Sequence, residues 1–495
     1  MFENSATVAK TETENERLQR EILDTLAKLG GLRVQDDALR FEGSAFILPE
    51  NMNGRVGDAI KYLRDWEKSQ SATFEFTRQF PYRPYDGAAA FDRAMKKVFG
   101  TAGIGTAIQT MFGEIKPEYV TIDIGHNQTM QVPWNRIDFA PIEAEFYLGA
   151  GRDRERGIVF EIHVEAPKKY RQHIEAFFQV IADELKHRSI YKGKAITAAE
   201  TPSFLNTASV DRSKVIYSDN TMTQLEANCW SLIRHSDAMR AASLPLKRQV
   251  LLYGPYGTGK TLAGLLTAQE AEANGWTYIQ VRSGDDDLYA ALQTAQMYSP
   301  AVVMFEDIDQ IKNAHDTTQG VAKLLDVLDN VSNKGVEVMA VFTTNHPEKL
   351  HRGMMRPGRL DAIIEVAGLD GAGYRRLVEA LVPADLLAVA EGEWDQVIEA
   401  FAGLLPAFAK EVIDRAKRYS IARTAGHLQT ITASDLINAA NGIRPQEQMM
   451  ADAPLAADTD SLGTAMARAV GEELRGHAVV SGGHRLPIKA VADKH

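Results

Sequence analysis

The sequence predicts an α/β fold: a parallel sheet sandwiched by helices, followed by a C-terminal helical lid and preceded by a separate N-terminal α+β domain. Three observations predict it. From about Lys214 to Asp370, short apolar runs alternate with helical stretches, the pattern of a parallel sheet with crossover helices. After about Gly371 the apolar spacing is helical throughout. Before residue 196, runs that alternate β-branched or aromatic residues with polar ones are interleaved with a few helices.

A chain of 495 residues is too long for one hydrophobic core. The expected order is a helical arm at 1–31, an α+β substrate or partner domain at 32–195, and a linker at 196–213. A large subdomain at 214–370, a helical lid at 371–445 and a mobile tail at 446–495 complete it. The apolar fraction of 45% and charged fraction of 24% are those of a soluble globular protein. The net charge of −11, with no long basic run, speaks against a surface built to neutralise nucleic-acid phosphates. No apolar run approaches the length of a membrane span, and the start of the chain lacks a signal pattern. The single cysteine, Cys229, lies beside Trp230 and reads as a small buried apolar residue; a cytoplasmic setting is expected.

In chain order, Leu18, Ile22, Leu26 and Leu29 mark an amphipathic helix that stops at Gly30–Gly31. ALRFEG, TFEFTRQF, YVTIDIG, IDFAPIEAEFYL and GIVFEIHVEA read as strands. Helices are expected near Val56–Ser69, Ala88–Val98 and Pro167–His187. His163, His173 and His187 lack metal-ligand spacing and read as structural or surface residues. A tail helix is expected near Leu462–Arg475.

The chemistry begins at RQVLLYGPYGTGKTLAG. Val250–Tyr253 is an apolar strand, GPYGTGKT follows, and a helix starts at Thr261. Triphosphate oxygens need many donors at short range, and backbone N–H groups supply them only where side chains do not intrude; hence Gly254, Gly257 and Gly259. The helix N-terminus adds free N–H groups and partial positive charge. Lys260 is suited to the β- and γ-phosphates and Thr261 to a magnesium ion. The whole loop, Gly254, Pro255, Tyr256, Gly257, Thr258, Gly259, Lys260, Thr261 and Leu262, is the candidate ATP cradle, which makes the sheet that of a P-loop NTPase.

VVMFEDID supplies the acids. Four apolar residues form a central strand, and Glu306 and Asp307 emerge at its C-terminal end, where ligands bind in such sheets. One carboxylate suits Mg2+ and the next the attacking water, Glu306 and Asp307 in that order or the reverse, both being candidate metal-site residues with Thr261. A second apolar strand, Val338–Thr343, leads to Thr344 and Asn345, whose amide suits the γ-phosphate or the water. In RPGRLD, Arg356 and Arg359 flank a Pro-Gly turn, and an arginine supplied to a transferring phosphoryl group is worth about 10³–10⁵ in rate.

GPYGTGKT, FEDID, TTNHPEKL and MRPGRLD, in this order, resemble the AAA ATPases proper, over about Lys214 to Ile443. The resemblance implies ATP hydrolysis with Mg2+, a sensor role for Asn345, and a homo-oligomeric ring, hexamer or heptamer, in which Arg356 and Arg359 reach the neighbouring subunit's nucleotide. It also implies a protein partner moved by core and lid motion. LPAFAKEVIDRAKRY and TASDLINAAN resemble the helical lid. Two departures stand out. Family members read Asp-Glu where this chain reads Glu306–Asp307. The stretch WTYIQVRSGDDDLYAALQTA is short for a threading loop: Asp285–Asp287 read as a helix start and Tyr289 as a packing residue. The short loop, the acid order and TTNHPEKL together are similar to the Bcs-type AAA ATPases, which move a folded protein across a membrane. A nucleic-acid loader or initiator-like ATPase is the alternative, and a non-enzymatic nucleotide switch a third.

Overall fold

The computed structural model describes residues 40–42, 45–47, 61, 64–65, 68–69, 71–100, 108–110, 113–115, 118–139, 142–282, 288–310, 336–350, 359–424 and 426–452. They fall into two compact units, one running to Ala380 and including Leu405–Ala407, the other holding Leu381–Leu404 and the chain from Phe408 onward. The expected N-terminal arm and the expected C-terminal tail beyond residue 452, with its helix at Leu462–Arg475, lie outside the described residues, as does most of the helix expected near Val56–Ser69; residues 446–452, expected in the tail, continue the last helix instead.

Two short antiparallel pairs come early: Arg40–Glu42 (β1) with Ala45–Ile47 (β2), and Ile108–Thr110 (β4) with Gly113–Ile115 (β5). The remaining strands before residue 170 make one five-stranded sheet: Thr73–Phe80 (β3), Glu118–Gly125 (β6), Gln128–Phe139 (β7), Ala144–Asp153 (β8) and Gly157–Pro167 (β9), in the order β3-β9-β8-β7-β6, all antiparallel. Pro84–Phe99 (α1) and Arg171–Arg188 (α2) cover it. Proline opens α1 at its first turn, where no intrahelical N–H is lost. Its Ala88, Phe91, Ala94 and Met95 are buried with Phe146, Phe160, Phe177 and Ile181. The run IDFAPIEAEFYL, read as strand, spans two: β7 ends at Phe139, which pairs with Ala144, and the chain returns as β8 after Glu143 at φ +50°. The buried alternation shifts by one position between them, from Ile137 and Phe139 to Ile142, Ala144, Phe146 and Leu148. His163 takes a structural place here, 3.0 Å from the Thr77 hydroxyl on the neighbouring strand.

The second sheet has six parallel strands: Ala195–Thr197 (β10), Arg248–Tyr253 (β11), Thr277–Arg282 (β12), Ala301–Glu306 (β13), Val338–Thr344 (β14) and Ala362–Glu365 (β15), in the order β10-β12-β13-β14-β11-β15. The stretch 196–213, expected as a linker, has its first two residues in an edge strand, and its Val210 and Thr207 carbonyls accept from Gln269. The outer side of this strand is covered by the stretch itself: Ile196 bridges Phe204, the Thr197 N–H donates to the Ser203 carbonyl at 2.9 Å, and the Leu205 N–H donates to the Ala195 carbonyl at 2.9 Å.

The strands between β10 and β15 are apolar on both faces, as parallel sheets require. Val303 and Phe305 join Leu251, Ile279 and Phe342 on one face, under Leu288–Met297 (α4). Val302 and Met304 join Val250, Leu252, Tyr278 and Val341 on the other, under Lys260–Ala273 (α3). Cys229 and Trp230 are buried on this second face, and burial pushes the thiol up to about 12, an inert packing residue. Gly371–Leu381 (α5) follows the sheet.

The second unit is helical. Trp394–Phe401 (α6), the body of Pro406–Arg423 (α7) and Ala433–Asp452 (α8) bury Val397, Phe401, Val412, Ile413, Leu436 and Ile443, beside a two-residue parallel pair Leu387–Ala388 with Ile431–Thr432. Asp435 opens α8 by accepting from Thr432 N at 2.9 Å and from Arg423 at 2.7 Å. Among the described residues, no helix is long and apolar enough to cross a membrane.

Candidate functional site

The glycine turn sits where β11 stops. A Cβ on Gly254 would lie 2.4 Å from the Val366 carbonyl oxygen, so only glycine passes between the end of β11 and the chain leaving β15. Gly259, at φ +103°, starts α3 with no side chain capping its first turn. The Tyr217 hydroxyl donates to the Gly259 carbonyl at 2.7 Å and its ring lies against the same residue, which holds the turn from beneath. Thr258 is buried and donates to the Pro255 carbonyl at 3.0 Å, while Pro255, Tyr256 and Leu262 are exposed on the outer side.

Lys260 is buried, and its Nζ donates to the carbonyls of Gly254 at 2.7 Å and Pro255 at 2.8 Å. Burial holds its ammonium below the usual lysine range, and the nearby charges of Asp307 and Asp309 oppose that shift. A desolvated cation facing two carboxylates at the mouth of a glycine turn is poised for a polyanion.

The two acids predicted from sequence face different partners. Glu306, the last residue of β13, accepts from Gln280 Nε2 at 3.1 Å and is hydrogen-bonded by Thr261. Burial first, and then the charge of Asp307, raise its carboxyl above the usual range against those hydrogen bonds. Asp307 follows at φ +48°, a conformation uncommon outside glycine, and turns the chain sharply. Its N–H donates to Thr343 Oγ1 at 2.9 Å, and its Oδ1 accepts from Asn345 Nδ2 at 2.9 Å. Ile308 then drops into the core, and Asp309 returns to the surface of the site, accepting from the Thr344 hydroxyl at 2.7 Å. Tyr256 leans over this group: its hydroxyl is hydrogen-bonded with Asn345, and its ring meets His346 edge-on at 6.1 Å. Burial, then the charges of Asp309 and Asp307, raise its phenol.

Structure thus brings together Lys260, Thr261, Glu306, Asp307 and Asn345. Sequence reasoning missed Gln280, Thr343, Asp309 and Tyr217. Gln280 carried a signal, as the polar residue inside the apolar run TYIQV; Tyr217 carried none. Arg356 lies outside the described residues, as do Asp285–Asp287. Arg359 sits in the turn before β15. Ala362 pairs with Val250, so roughly 13 Å of strand separates that level from Gly254. Arg359 therefore lies toward the opposite, N-terminal end of the strands from its own glycine turn. Tyr289, expected as a packing residue, is 58% exposed. The buried stripe of α4 runs through Ala291, Leu292 and Ala295, and Tyr289 falls off it.

These residues fit a nucleotide with a divalent cation. Gly254 leaves no room for a Cβ, Lys260 is buried and cationic, and a hydroxyl and a carboxylate, Thr261 and Glu306, already meet as a hard oxygen pair of the kind magnesium takes.

Fold and site together define a P-loop nucleotide-binding domain. The chain carries an AAA ATPase domain: residues 250–367 match the family described as ATPase family associated with various cellular activities (AAA). It is 26% identical over 263 residues to the ATPase family gene 2 protein of Schizosaccharomyces pombe, covering 45% of this chain and 32% of that one. It is 26% identical over 237 residues to the proteasome-activating nucleotidase of Pyrococcus horikoshii, covering 42% of this chain and 58% of that one. Both matches leave a large part of each relative uncovered. Among solved structures, the FIGL-1 AAA domain is similar with a TM-score of 0.38 and 18% identity, over 48% of this chain and 85% of that one.

Proposed function

We propose that this chain hydrolyses ATP with Mg2+ as a homo-oligomeric ring of six or seven subunits, and that it uses the cycle to remodel or move a protein partner. The observation that carries the reading is the meeting of Asp307 with both Lys260, through charge, and Asn345, through a 2.9 Å hydrogen bond. In this reading the glycine turn and Lys260 bind the phosphates. Thr261 and Glu306 would hold the magnesium, which neutralises charge on the phosphate oxygens when bound. Asp307 Oδ1 is engaged by Asn345, and its other oxygen, Oδ2, is outside that bond and serves to take the proton of the attacking water.

Arg356 and Arg359 are assigned to the neighbouring subunit's nucleotide. The place of Arg359, toward the opposite end of the strands from its own turn, supports a role in trans. The name of the archaeal relative points to a protein machine as its target, and the partner reading here leans on that kinship and on the separate antiparallel sheet domain. A Bcs-like layout, with that domain running straight into the ATPase core, and a cytoplasmic setting are part of the same proposal.

The test is phosphate release from ATP by the purified chain, with and without Mg2+, alongside light scattering of the nucleotide-bound form. Magnesium-dependent turnover by an assembly of six or seven subunits is expected. A nucleotide-bound monomer with full activity would end the ring reading, and an assembled ring without turnover the enzymatic one.

A further inference from the structure

We propose that Asp309 is a positioning residue, which holds the end of β14 so that Asn345 keeps Asp307 in place for attack by water. The inference rests on the hydrolytic reading above and deepens it.

Asp309 Oδ1 accepts from the Thr344 hydroxyl at 2.7 Å and from the Asn345 backbone N–H at 3.4 Å. Thr344 is fully buried, and its oxygen in turn accepts from the His346 N–H at 3.0 Å, so one carboxylate organises three consecutive residues at the strand end. The middle one is Asn345, whose side chain bonds Asp307. The geometry is closed from the other side as well. Thr343 accepts the Asp307 N–H, and the left-handed Asp307 and buried Ile308 set the turn that brings Asp309 back. Two strand ends are thereby cross-linked at three points: Asp307 backbone to Thr343, Asp307 side chain to Asn345, and Asp309 side chain to Thr344. Asn345 alone has a rotatable amide; with its main chain anchored, that amide has one direction to take.

An acceptor is what this role requires, and charge is not. Asp309→Asn keeps an oxygen for both donors, whereas Asp309→Ala removes it. Asp309→Ala is expected to lower kcat about 10–100-fold while leaving the KM for ATP within about threefold, and Asp309→Asn to restore most of the loss. Asp309→Ala combined with Asn345→Ala is expected to be no slower than Asn345→Ala alone, because both act through one amide. Thr344→Val, which removes the donor, is expected to lower kcat with KM unchanged and serves if the alanine variant fails to fold.

Amide hydrogen exchange over residues 338–348 gives a readout independent of turnover: faster exchange in Asp309→Ala and wild-type exchange in Asp309→Asn are expected. Unchanged exchange, wild-type kcat in both Asp309→Ala and Thr344→Val, additive losses in the double variant, or an Asp309→Asn as slow as the alanine would each overturn the proposal. A wild-type chain that turns over no ATP but shows the exchange pattern would instead sink the hydrolytic reading and leave the anchoring intact.

Discussion

Asn345 donates its side-chain amide to Asp307 at 2.9 Å, across the ends of two neighbouring strands that are hydrogen-bonded along their lengths. The pair separates the roles of the adjacent acids, since Glu306 faces Thr261 and Gln280 instead. Asp307→Asn is expected to bind ATP with affinity within about threefold of wild type and to lose turnover by at least about 100-fold, since general-base catalysis contributes on the order of 10²–10⁴. Glu306→Gln is expected to raise the Mg2+ concentration needed for half-maximal rate. Comparing phosphate release across a Mg2+ titration for the two variants checks the assignment. Normal turnover by Asp307→Asn would reverse it.

Lys260 is buried among carbonyls and opposed by two carboxylates, so its charge has one use. Lys260→Ala is expected to weaken ATP binding about 10–150-fold, since a lost charge-assisted contact costs about 1.5–3 kcal/mol. Calorimetric titration with ATP measures this directly. Unchanged affinity would remove the loop from the nucleotide site.

Arg359 lies toward the N-terminal end of the strands, opposite its own glycine turn. If it serves a neighbour, Arg359→Ala and Lys260→Ala each inactivate a different half of a shared site. Each variant alone is expected to be nearly inactive, and an equal mixture to recover a measurable fraction of wild-type rate, because some interfaces then hold an intact lysine opposite an intact arginine. No recovery on mixing, with mixed assembly verified by mass spectrometry, would end the assignment of Arg359 to a neighbour's site.

Asp86, buried in α1, accepts from the Ser189 hydroxyl at 2.6 Å and the Ile190 N–H at 2.9 Å, yet burial pushes its carboxyl up to about 6 from an ordinary 3.8. The folded state thus holds its proton at a pH where the unfolded chain has released it. The stabilisation this gives is complete below pH 3.8 and is lost as pH rises through about 6. Relative to Asp86→Asn, wild type is expected to lose on the order of 1–3 kcal/mol between those limits. Urea midpoints of both proteins at intervals across that range check it. A difference that does not vary with pH would show that the carboxyl is not desolvated.

Much of the site was legible because its chemistry is local. The glycine turn, Lys260 and Thr261 occupy consecutive positions, and an apolar strand before them and a helix after them are written in the same short stretch. The acids after VVMF were legible for the same reason. The residues that reading missed act through space. Gln280 reaches Glu306 from β12, Thr343 holds the Asp307 N–H from β14, and Tyr217 supports Gly259 from more than forty positions away. Tyr289 misled because a single aromatic near a helix start carries no information about which face of the helix it joins. The hairpin between β7 and β8 shows in the sequence only as a one-position shift in the apolar alternation, from Ile137 and Phe139 to Ala144, Phe146 and Leu148.

By itself, then, the sequence determined the parallel sheet, the helical second unit, the phosphate loop and the acids beside it, since each follows from spacing within a dozen residues and from backbone freedom at glycine. Only the tertiary structure decided that Glu306 faces Thr261 while Asp307 faces Asn345, that Asp309 accepts from Thr344, and that Ile196 and Thr197, at the start of the stretch expected as a linker, lie in an edge strand. Those outcomes depend on strand order, a left-handed turn at Asp307 and the register of β13 against β14. They arise from packing among segments far apart in the chain, and no local pattern of residues encodes them.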